Sequence, residues 1–524
     1  MKTKLLVFFL IFTTFKIAAQ QQIYSLKYLN DLNLIEYNDN IVFLGGEEET
    51  GIEIWKSEGT TETTSLVKDV YSGKESGVQD LRRYTTILNG TLYFIGKDET
   101  SAGEIWKTDG TANGTVKVTN FLNGRVWKIT AAGDSIYFLI KKEDYVLQVW
   151  KTDGTSEGTV IVKDNIPIWN DPTFEGKCGN IFIFTFQPYF SNGSKVWRSD
   201  GTADGTFPLT EEKTGNGSGV GGTSALSQYL EEDSKLYFVS RSYLHETDGT
   251  ISNTKALSSY SGPLSVQYSD VIKVGNSLYY LFFSGDNFSI EIWKYDLVNK
   301  QTTSVYSANS QKYFFPSGLV KTDDSLLFCG PNNTGGTSLL SLNLSNNAVS
   351  DIKELTTAAF TPFIFNQSFN IATIIKINSN DYFITSAVDQ FYQRKGWIYN
   401  KSQQTTENIT ALDNVWHGIV YKDYLYYGKN NILWKYANNL NTISNNKEPF
   451  LTFYPNPAND FVQINTNNND EIENVRIYDL NGKLVNEISN YKNNKIDVSR
   501  LSKGIYNMQV KLNGIYINKK VIKN

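Results

Sequence analysis

The stretch Glu104-Ile105-Trp106-Lys107-Thr108-Asp109-Gly110-Thr111 decides the fold, because it recurs along the chain at nearly constant spacing. Its tryptophan aligns with Trp55, Trp150 and Trp197, and a fifth copy has His245 at the same position. These five positions lie 51, 44, 47 and 48 residues apart. A period of this size is typical of one small supersecondary unit repeated in tandem.

A short apolar segment precedes each copy of this motif and continues after the motif has decayed. One example is Leu92-Tyr93-Phe94-Ile95, and the nine copies fall at residues 40–44, 91–95, 135–139, 180–184, 235–239, 277–281, 325–329, 381–384 and 424–427. Consecutive apolar residues indicate strands that are covered on both faces. With four short strands in each repeat, the sequence predicts an all-β fold, a β-propeller of eight or nine four-stranded blades followed by a small C-terminal β-sandwich.

The motif itself has a structural interpretation. Ile105 and Trp106 point to opposite faces of a strand, so each can fill the space against a different neighbouring blade. We predict this blade-structural role for Trp55, Trp106, Trp150, Trp197 and Trp293. We predict a turn into the fourth strand at Asp109, Gly110, Asp153, Gly154, Asp200 and Gly201. Calcium binding is the alternative for the aspartates, but one carboxylate per turn falls far short of six to eight oxygen ligands.

The segment from Gln22 to Lys27 resembles a fourth strand that stands before the first unit's own first strand. The last unit has only a weak fourth strand, near residues 441–443. We therefore predict that the N-terminal segment completes the last blade and holds the ring closed.

The N-terminus has the pattern of a secretory signal peptide over residues 1–19. A basic start is followed by an apolar run that is too short to span a bilayer, and the run ends at Ala18-Ala19. No cysteine stands directly after the expected cut, which disfavours a lipoprotein. No later segment has the roughly 20 apolar residues of a membrane span, so none is expected in the mature chain. Cys178 and Cys329 lie in different units and are expected to be free buried thiols.

The charge distribution argues against binding to nucleic acid. Residues 20–451 contain 36 Lys and Arg against 47 Asp and Glu, a net charge of −11. A surface that neutralises phosphates needs the opposite balance.

The repeated run Glu-Ile-Trp-Lys-Thr-Asp-Gly-Thr resembles the ELWxTDGT repeat, also described as hyalin-like, of secreted bacterial β-propellers. The match covers the first four units well and is weaker in the fifth, where His245 replaces tryptophan. The resemblance implies a surface or extracellular protein, and it implies no common enzymatic activity.

Residues 452–524 resemble the C-terminal sorting domain of type IX secretion cargo. The matching segments are 453–461, 475–483, 501–506 and 517–523, and the resemblance assigns the sorting signal to Pro455, Asn456, Pro457, Gly504, Tyr506, Lys519 and Lys520. It implies export across the outer membrane by the type IX secretion machinery, removal of this domain, and release or attachment at the cell surface. The expected domains are a signal peptide at 1–19, a β-propeller at 20–440, an Asn-rich linker at 441–451 and the sorting domain at 452–524.

The sequence shows no catalytic, metal-ligating or cofactor-binding constellation, so no catalytic residue, metal or cofactor is predicted. His245 occupies a tryptophan position and is expected to be a packed strand residue. The Gly-rich stretch at 215–222 has no Lys after it and is expected to be a loop. Two hypotheses stay open. The first is a binding or adhesion protein for an extracellular glycan or protein, and the alternative is a glycan-active propeller enzyme that uses paired carboxylates.

Overall fold

The computed structural model of the protein describes residues 19–524 except residues 83, 122–124, 143–144, 169–171, 173, 187–194, 211–228, 241–242, 259–265, 285–288, 310–317, 333–335, 357–372, 388–392, 438–451, 455, 466–471, 480–482, 490–494 and 513–514. The predicted linker, the Gly-rich stretch and residues 1–18 of the predicted signal peptide therefore lie outside the described residues. The chain divides into two compact units, Met1–Asn439 and Leu440–Asn524.

The first unit is a succession of four-stranded antiparallel sheets, nine of them within the described residues. Sheet 1 contains Tyr28–Tyr37, Asn40–Glu47, Gly51–Ser57 and Ser65–Lys68. Sheet 2 contains Thr85–Leu88, Thr91–Asp98, Ser101–Thr108 and Val116–Lys117. Sheet 3 contains Arg125–Ala132, Ser135–Lys142, Val146–Thr152 and Val160–Pro167.

The next three sheets continue the series. Sheet 4 contains Phe174–Cys178, Ile181–Phe186, Lys195–Ser199 and Phe207–Pro208. Sheet 5 contains Tyr229–Glu232, Lys235–Ser240, Tyr243–Thr247 and Lys255–Ala256. Sheet 6 contains Val266–Val274, Ser277–Ser284, Ser289–Asp296 and Gln301–Asn309.

The last three sheets complete the unit. Sheet 7 contains Val320–Lys321, Ser325–Pro331, Thr337–Asn343 and Val349–Thr356. Sheet 8 contains Thr373–Lys376, Asp381–Ala387, Arg394–Asn400 and Thr405–Asn408, and the short 3-10 helix Thr410–Leu412 follows it. Sheet 9 contains Gly418–Tyr421, Tyr424–Lys429, Ile432–Ala437 and Ala19–Ser25.

This architecture confirms the predicted fold class, a β-propeller built from four-stranded sheets. The second strands are buried along nearly their whole length, as the runs of consecutive apolar residues predicted; in Asn40–Glu47 only the two end residues are partly exposed. The first strands of neighbouring sheets contact one another, as in sheets 3 and 4 and in sheets 9 and 1. The first strand of each sheet is therefore the innermost one, at the centre of the ring.

The N-terminal strand closes the ring, as predicted. Residues 19–25 pair antiparallel with residues 432–437, so the last sheet gains its fourth strand from the start of the chain. Ile23 lies in one apolar cluster with Trp55 of sheet 1 and with Tyr426 and Leu433 of sheet 9. The hydroxyl of Thr61 in sheet 1 also donates a hydrogen bond to the carbonyl oxygen of Ile23, at 2.7 Å.

The motif residues Ile105 and Trp106 belong to different interfaces. Trp106 lies in a cluster with Val42 and Leu44 of sheet 1, whereas Ile105 lies in a cluster with Ile129 of sheet 3. The other motif tryptophans follow the same arrangement, since each joins a cluster that contains residues of the preceding sheet: Trp55, Trp150, Trp197 and Trp293.

Each Asp-Gly turn is a closed network of hydrogen bonds. Oδ1 of Asp109 accepts hydrogen bonds from the backbone N–H and the hydroxyl of Thr111, at 2.8 and 2.7 Å. The same bonds recur at Asp153, Asp200 and Asp248. Gly110 has a φ of +89°, which L-residues rarely adopt. A Cβ at Gly114, five residues after Asp109, would collide with the Asp109 carboxylate.

These turns also connect neighbouring sheets. Nζ of Lys107 in sheet 2 donates to the carbonyl oxygen of Gly154 in sheet 3, at 2.9 Å, and Lys151 makes the equivalent bond to Gly201 in sheet 4. A Cβ at Gly154 would also collide with the hydroxyl oxygen of Tyr93, in the second strand of sheet 2. The glycine of the turn is thus required by the adjoining sheet as well as by its own backbone.

The second unit is a small two-sheet sandwich. One sheet contains Thr452–Tyr454, Phe461–Asn465 and Lys495–Asp497. The other contains Leu484–Ser489, Ile472–Tyr478, Gly504–Leu512 and Ile515–Lys523, in that order across the sheet. Its core includes the fully buried residues Val462, Val475, Ile496 and Met508.

Ile23→Ala should destabilise the protein by about 2–5 kcal/mol, because it opens a cavity at the interface between sheets 9 and 1. Gln21→Ala, an exposed position on the same strand, should change the free energy of unfolding by less than about 0.5 kcal/mol. Chemical denaturation of the purified protein measures both variants. Equal stability of the two variants would contradict a role for this strand in closing the ring.

Gly154→Ala should be more destabilising than Gly110→Ala. Both glycines have a φ near +90°, so both substitutions cost about 1–2 kcal/mol of backbone strain. A Cβ at Gly110 meets no atom within 4 Å, whereas one at Gly154 meets Tyr93. The additional overpacking should cost about 1–3 kcal/mol, and Tyr93→Phe should recover part of it in the double variant. Thermal unfolding of the unchanged protein, the two alanine variants and the double variant Gly154→Ala/Tyr93→Phe gives the comparison. An equal loss of stability in the two alanine variants would exclude the contact between Gly154 and Tyr93.

Candidate functional sites

The first candidate site lies in the second unit, where the residues after Tyr454 run beside the final strand. Oδ1 of Asn456 accepts a hydrogen bond from the backbone N–H of Ile522 at 2.8 Å. The N–H of Ala458 donates to the carbonyl oxygen of Ile522 at 2.7 Å, and the N–H of Asn524 donates to that of Ala458 at 2.9 Å. The beginning and the end of this unit, 66 residues apart, are therefore joined at one edge.

Four of the remaining residues predicted for the sorting signal, Gly504, Tyr506, Lys519 and Lys520, lie on two paired strands. Gly504 begins the strand Gly504–Leu512, and the pairing of this strand with the final strand places Lys519 opposite Met508 and Lys520 opposite Asn507. Tyr506 is buried, and its hydroxyl donates to the carbonyl oxygen of Ser502 at 2.9 Å. Pro457 is exposed, and Pro455 lies outside the described residues.

The second candidate site lies at the centre of the ring, where each first strand has an edge without a neighbouring strand in its sheet. Side chains of the adjoining sheet satisfy some of these N–H groups. The N–H of Ala131 in sheet 3 donates to the hydroxyl of Thr86 in sheet 2 at 3.1 Å. The N–H of Lys177 in sheet 4 donates to Oε1 of Glu231 in sheet 5 at 3.2 Å.

Glu175, Tyr229 and Glu231 form a group on the first strands of sheets 4 and 5. Glu175 is 2% exposed, and its Oε2 is 3.4 Å from the hydroxyl of Thr130 in sheet 3. Its Oε1 is buried and has no hydrogen-bond partner among the described residues. Tyr229, by contrast, is 37% exposed. Nζ of Lys177 lies 3.9 Å from Oε2 of Glu231.

The surroundings of this group favour its neutral forms. Burial raises the pKa of Glu175 to about 7, although the positive charge of Lys128 and the hydroxyl of Thr130 lower it. Burial also raises the pKa of Glu231, against the charge of Lys177. The pKa of Tyr229 rises to about 12, because the surrounding protein desolvates its hydroxyl and both glutamates oppose its ionisation. Near neutral pH, Glu175 therefore carries a proton in part of the molecules.

The glutamates two residues before the motif tryptophans were not singled out in the sequence, although their repetition at 53, 104 and 291 is visible there. Glu104 accepts hydrogen bonds from the hydroxyl of Thr119 and from the N–H of Phe121, the latter at 2.6 Å. Glu53 accepts one from the N–H of Gly77 at 2.7 Å, and burial raises its pKa to about 8. These carboxylates hold the loops that lead to the next sheet.

The centre group of Glu175, Tyr229 and Glu231 contains no histidine or cysteine. Cys178 lies near it on the first strand of sheet 4, where burial and the charge of Glu231 raise the pKa of its thiol. His245 stacks on Phe238 with 5.2 Å between ring centroids, which confirms the prediction of a packed strand residue. Burial and the charge of Arg82 lower the pKa of His417 to about 4. Cys178 and Cys329 are buried and form no disulfide bond, as predicted. Among the described residues, no group of three or more His, Cys, Asp or Glu side chains is arranged to hold a metal ion.

The chain is distantly similar to several known structures. It matches a prolyl endopeptidase with 10% identity and a TM-score of 0.36, covering 72% of this chain and 55% of that one. It matches a nidogen/laminin complex with 13% identity and a TM-score of 0.28, covering 51% and 92%. It also matches the tricorn protease with 12% identity and a TM-score of 0.26, covering 75% and 37%. No curated protein matches the chain.

The second unit has a specific match. Residues 452–524 match the family of the secretion system C-terminal sorting domain, over the same residues that the sequence pattern delimited. Within the described residues, no helix is long and apolar enough to cross a membrane. This domain directs the protein through type IX secretion to the cell surface or the extracellular space.

Proposed function

We propose that this chain is a binding or adhesion protein of the cell surface or the extracellular space, with a β-propeller as its binding part. The observation that carries the proposal is the sorting domain at residues 452–524, which gives the destination of the protein. In this proposal residues 1–19 are a signal peptide, 20–440 an ELWxTDGT-repeat propeller and 441–451 a linker. The sorting domain engages the type IX machinery and is removed after export, and the propeller binds an extracellular glycan or protein.

The use of the repeated carboxylates supports binding over catalysis. Asp109 and its equivalents accept hydrogen bonds within their own turns, and Glu53 and Glu104 accept them from loops. Groups that are committed to the fold in this way are poor candidates for proton transfer to a substrate. The repeated part of the sequence thus builds the ring and leaves recognition to residues that do not repeat.

A glycan-active enzyme is the second candidate function, and the centre group is the observation that favours it. Glu175 and Glu231 are two carboxyl groups that both act on the Tyr229 hydroxyl, and the pKa of Glu175 is raised to about 7. A raised pKa suits the general acid of a glycoside hydrolase. Glu231, however, already accepts a hydrogen bond from the edge of sheet 4, which favours a structural use of that carboxylate.

A glycan array with the purified secreted protein, scored for both retention and product release, separates these functions. We expect retention of at least one glycan class without release of shorter products. Turnover that Glu175→Gln abolishes would instead assign the enzyme. Absence of retention and of turnover, together with no binding to whole cells or extracellular proteins, would contradict the proposed binding function.

Asn456→Ala should reduce export, because Asn456 holds the final strand through the N–H of Ile522. Loss of this hydrogen bond should destabilise the docked final strand by about 1 kcal/mol, which is about a fivefold change in the equilibrium between its docked and undocked states. Immunoblots of the medium, the cell surface and the periplasm measure the distribution of the protein. Deletion of residues 452–524 sets the level for complete loss of the signal.

The matched control for this experiment is Asn459→Ala, which changes an exposed asparagine three residues further on. This control should be exported like the unchanged protein. Equal export of Asn456→Ala and the control would show that the bond to Ile522 has no part in sorting. Full export of the chain that lacks residues 452–524 would contradict the sorting route itself.

A further inference from the structure

Glu175 occupies a position that sheets 1, 3 and 6 fill with buried aliphatic residues, whereas sheet 2 has Thr85 and sheet 9 has Gly418 there. The equivalent position in a first strand is three residues before the last residue of that strand that pairs with the second strand. Sheets 1, 3 and 6 have Leu34, Ile129 and Val271 there, all at most 5% exposed. Burying a carboxyl group without a full set of hydrogen bonds costs stability that these aliphatic residues would not cost. A buried and incompletely satisfied polar group of this kind calls for a functional explanation.

In sheet 5 the residue at the equivalent position is Tyr229, which is 37% exposed. We propose that Tyr229, Glu231 and Lys177 form a binding subsite for a neutral saccharide at the centre of the ring, with Glu175 beneath it as a hydrogen-bonding group. This inference rests on the proposed binding function and names the chemical class of its ligand.

The exposed ring of Tyr229 provides the apolar contact. An aromatic ring with an accessible face and a fixed position packs against the C–H face of a pyranose, which buries apolar surface at small entropic cost. The ion pair of Lys177 and Glu231, with both side chains about one third exposed, provides donors and acceptors for hydroxyl groups at the edge of the sugar. These contacts suit a ligand with one apolar face and a polar rim.

The local charge favours a neutral ligand over an anionic one. With Glu175 ionised, the two glutamates offset Lys128 and Lys177, and with Glu175 protonated only one net positive charge remains, which is little for a sulfate, phosphate or uronate. Hydroxyl groups, which donate and accept, match this mixture of donors and acceptors. A protein ligand would require a larger complementary surface than one exposed tyrosine and one ion pair.

Glu175 gives the subsite a donor that depends on pH. In its neutral form the carboxyl group donates through one oxygen, and Oε1 is the atom that has no partner among the described residues. Because Oε1 is buried without a ligand, contact with a ligand hydroxyl requires the Glu175 side chain to rotate toward the centre of the ring. The groups that face Glu175 are Lys128 and Thr130 from sheet 3 and Tyr229 from sheet 5. Because its pKa is about 7, the donor is present below that pH and is lost above it.

The test uses the full-length secreted protein and a panel of neutral oligosaccharides, namely β-glucan, α-glucan and xylan fragments, in calorimetric or fluorescence titrations. Tyr229→Ala should weaken binding about tenfold, as expected for loss of a stacking contact. Tyr145→Ala removes a tyrosine that is 52% exposed but lies outside the first strands, and it should bind like the unchanged protein.

Two substitutions at Glu175 examine its role. Glu175→Gln keeps a donor that does not titrate, so binding should persist and should no longer weaken between pH 6 and pH 8. Glu175→Leu introduces an aliphatic side chain like those of sheets 1, 3 and 6 at this position. It should therefore raise the melting temperature while it weakens binding about tenfold. The melting temperature shows that any loss of binding in this variant is not loss of folding.

The possible outcomes separate the subsite from the broader function. Neutral glycan binding that neither Tyr229→Ala nor Glu175→Leu weakens would overturn the subsite and leave the binding function in place. Binding only to charged glycans or to a protein would also overturn the subsite, again without loss of the broader proposal. Weaker binding in both variants, with the Tyr145→Ala control unchanged, would support it.

Discussion

The structure depends on one constraint, which is that both faces of every sheet in the first unit are apolar. An open stack of such sheets would leave two apolar faces in water, and repeat proteins that form open stacks need polar capping repeats for this reason. Here sheet 9 packs against sheet 1, with Ile23, Trp55 and Tyr426 in one cluster. Closing the ring therefore covers the two faces that would otherwise be terminal, and the N-terminal strand holds this contact in place.

The Asp-Gly turn contributes to the packing between neighbouring sheets as well as to its own hairpin. Gly154 and Gly201 each fit against a tyrosine of the preceding sheet, and their carbonyl oxygens accept a hydrogen bond from a lysine of that sheet. Beyond sheet 5 the motif decays in sequence, but a related local chemistry persists. Asp296 accepts hydrogen bonds from the N–H groups of Val298 and Asn299, and Asn343 accepts one from Ser345. A side-chain oxygen thus still fixes these turns, although their sequence differs from the motif.

The sequence predicted the parts that repeat, because periodicity reports secondary structure and burial together. It predicted the nine apolar second strands and the N-terminal strand of sheet 9, although it left eight and nine blades open. It did not predict the centre group. Thr130, Glu175 and Tyr229 are distant in the sequence, and only the order of the sheets around the ring brings them together. The bond from Ile522 to Asn456 was hidden for the same reason, since 66 residues separate the two.

A repeat fold also makes exceptions informative, because each sheet provides a comparison for the others. In sheets 1, 3 and 6 the position of Glu175 is filled by Leu34, Ile129 and Val271, which are buried and need no hydrogen-bond partner. A buried carboxyl group without a full set of hydrogen bonds costs stability relative to these residues. The turn carboxylates, in contrast, repeat because the fold needs them. A residue that departs from the repeat at a cost to stability is therefore a stronger guide to recognition than one that recurs in every sheet.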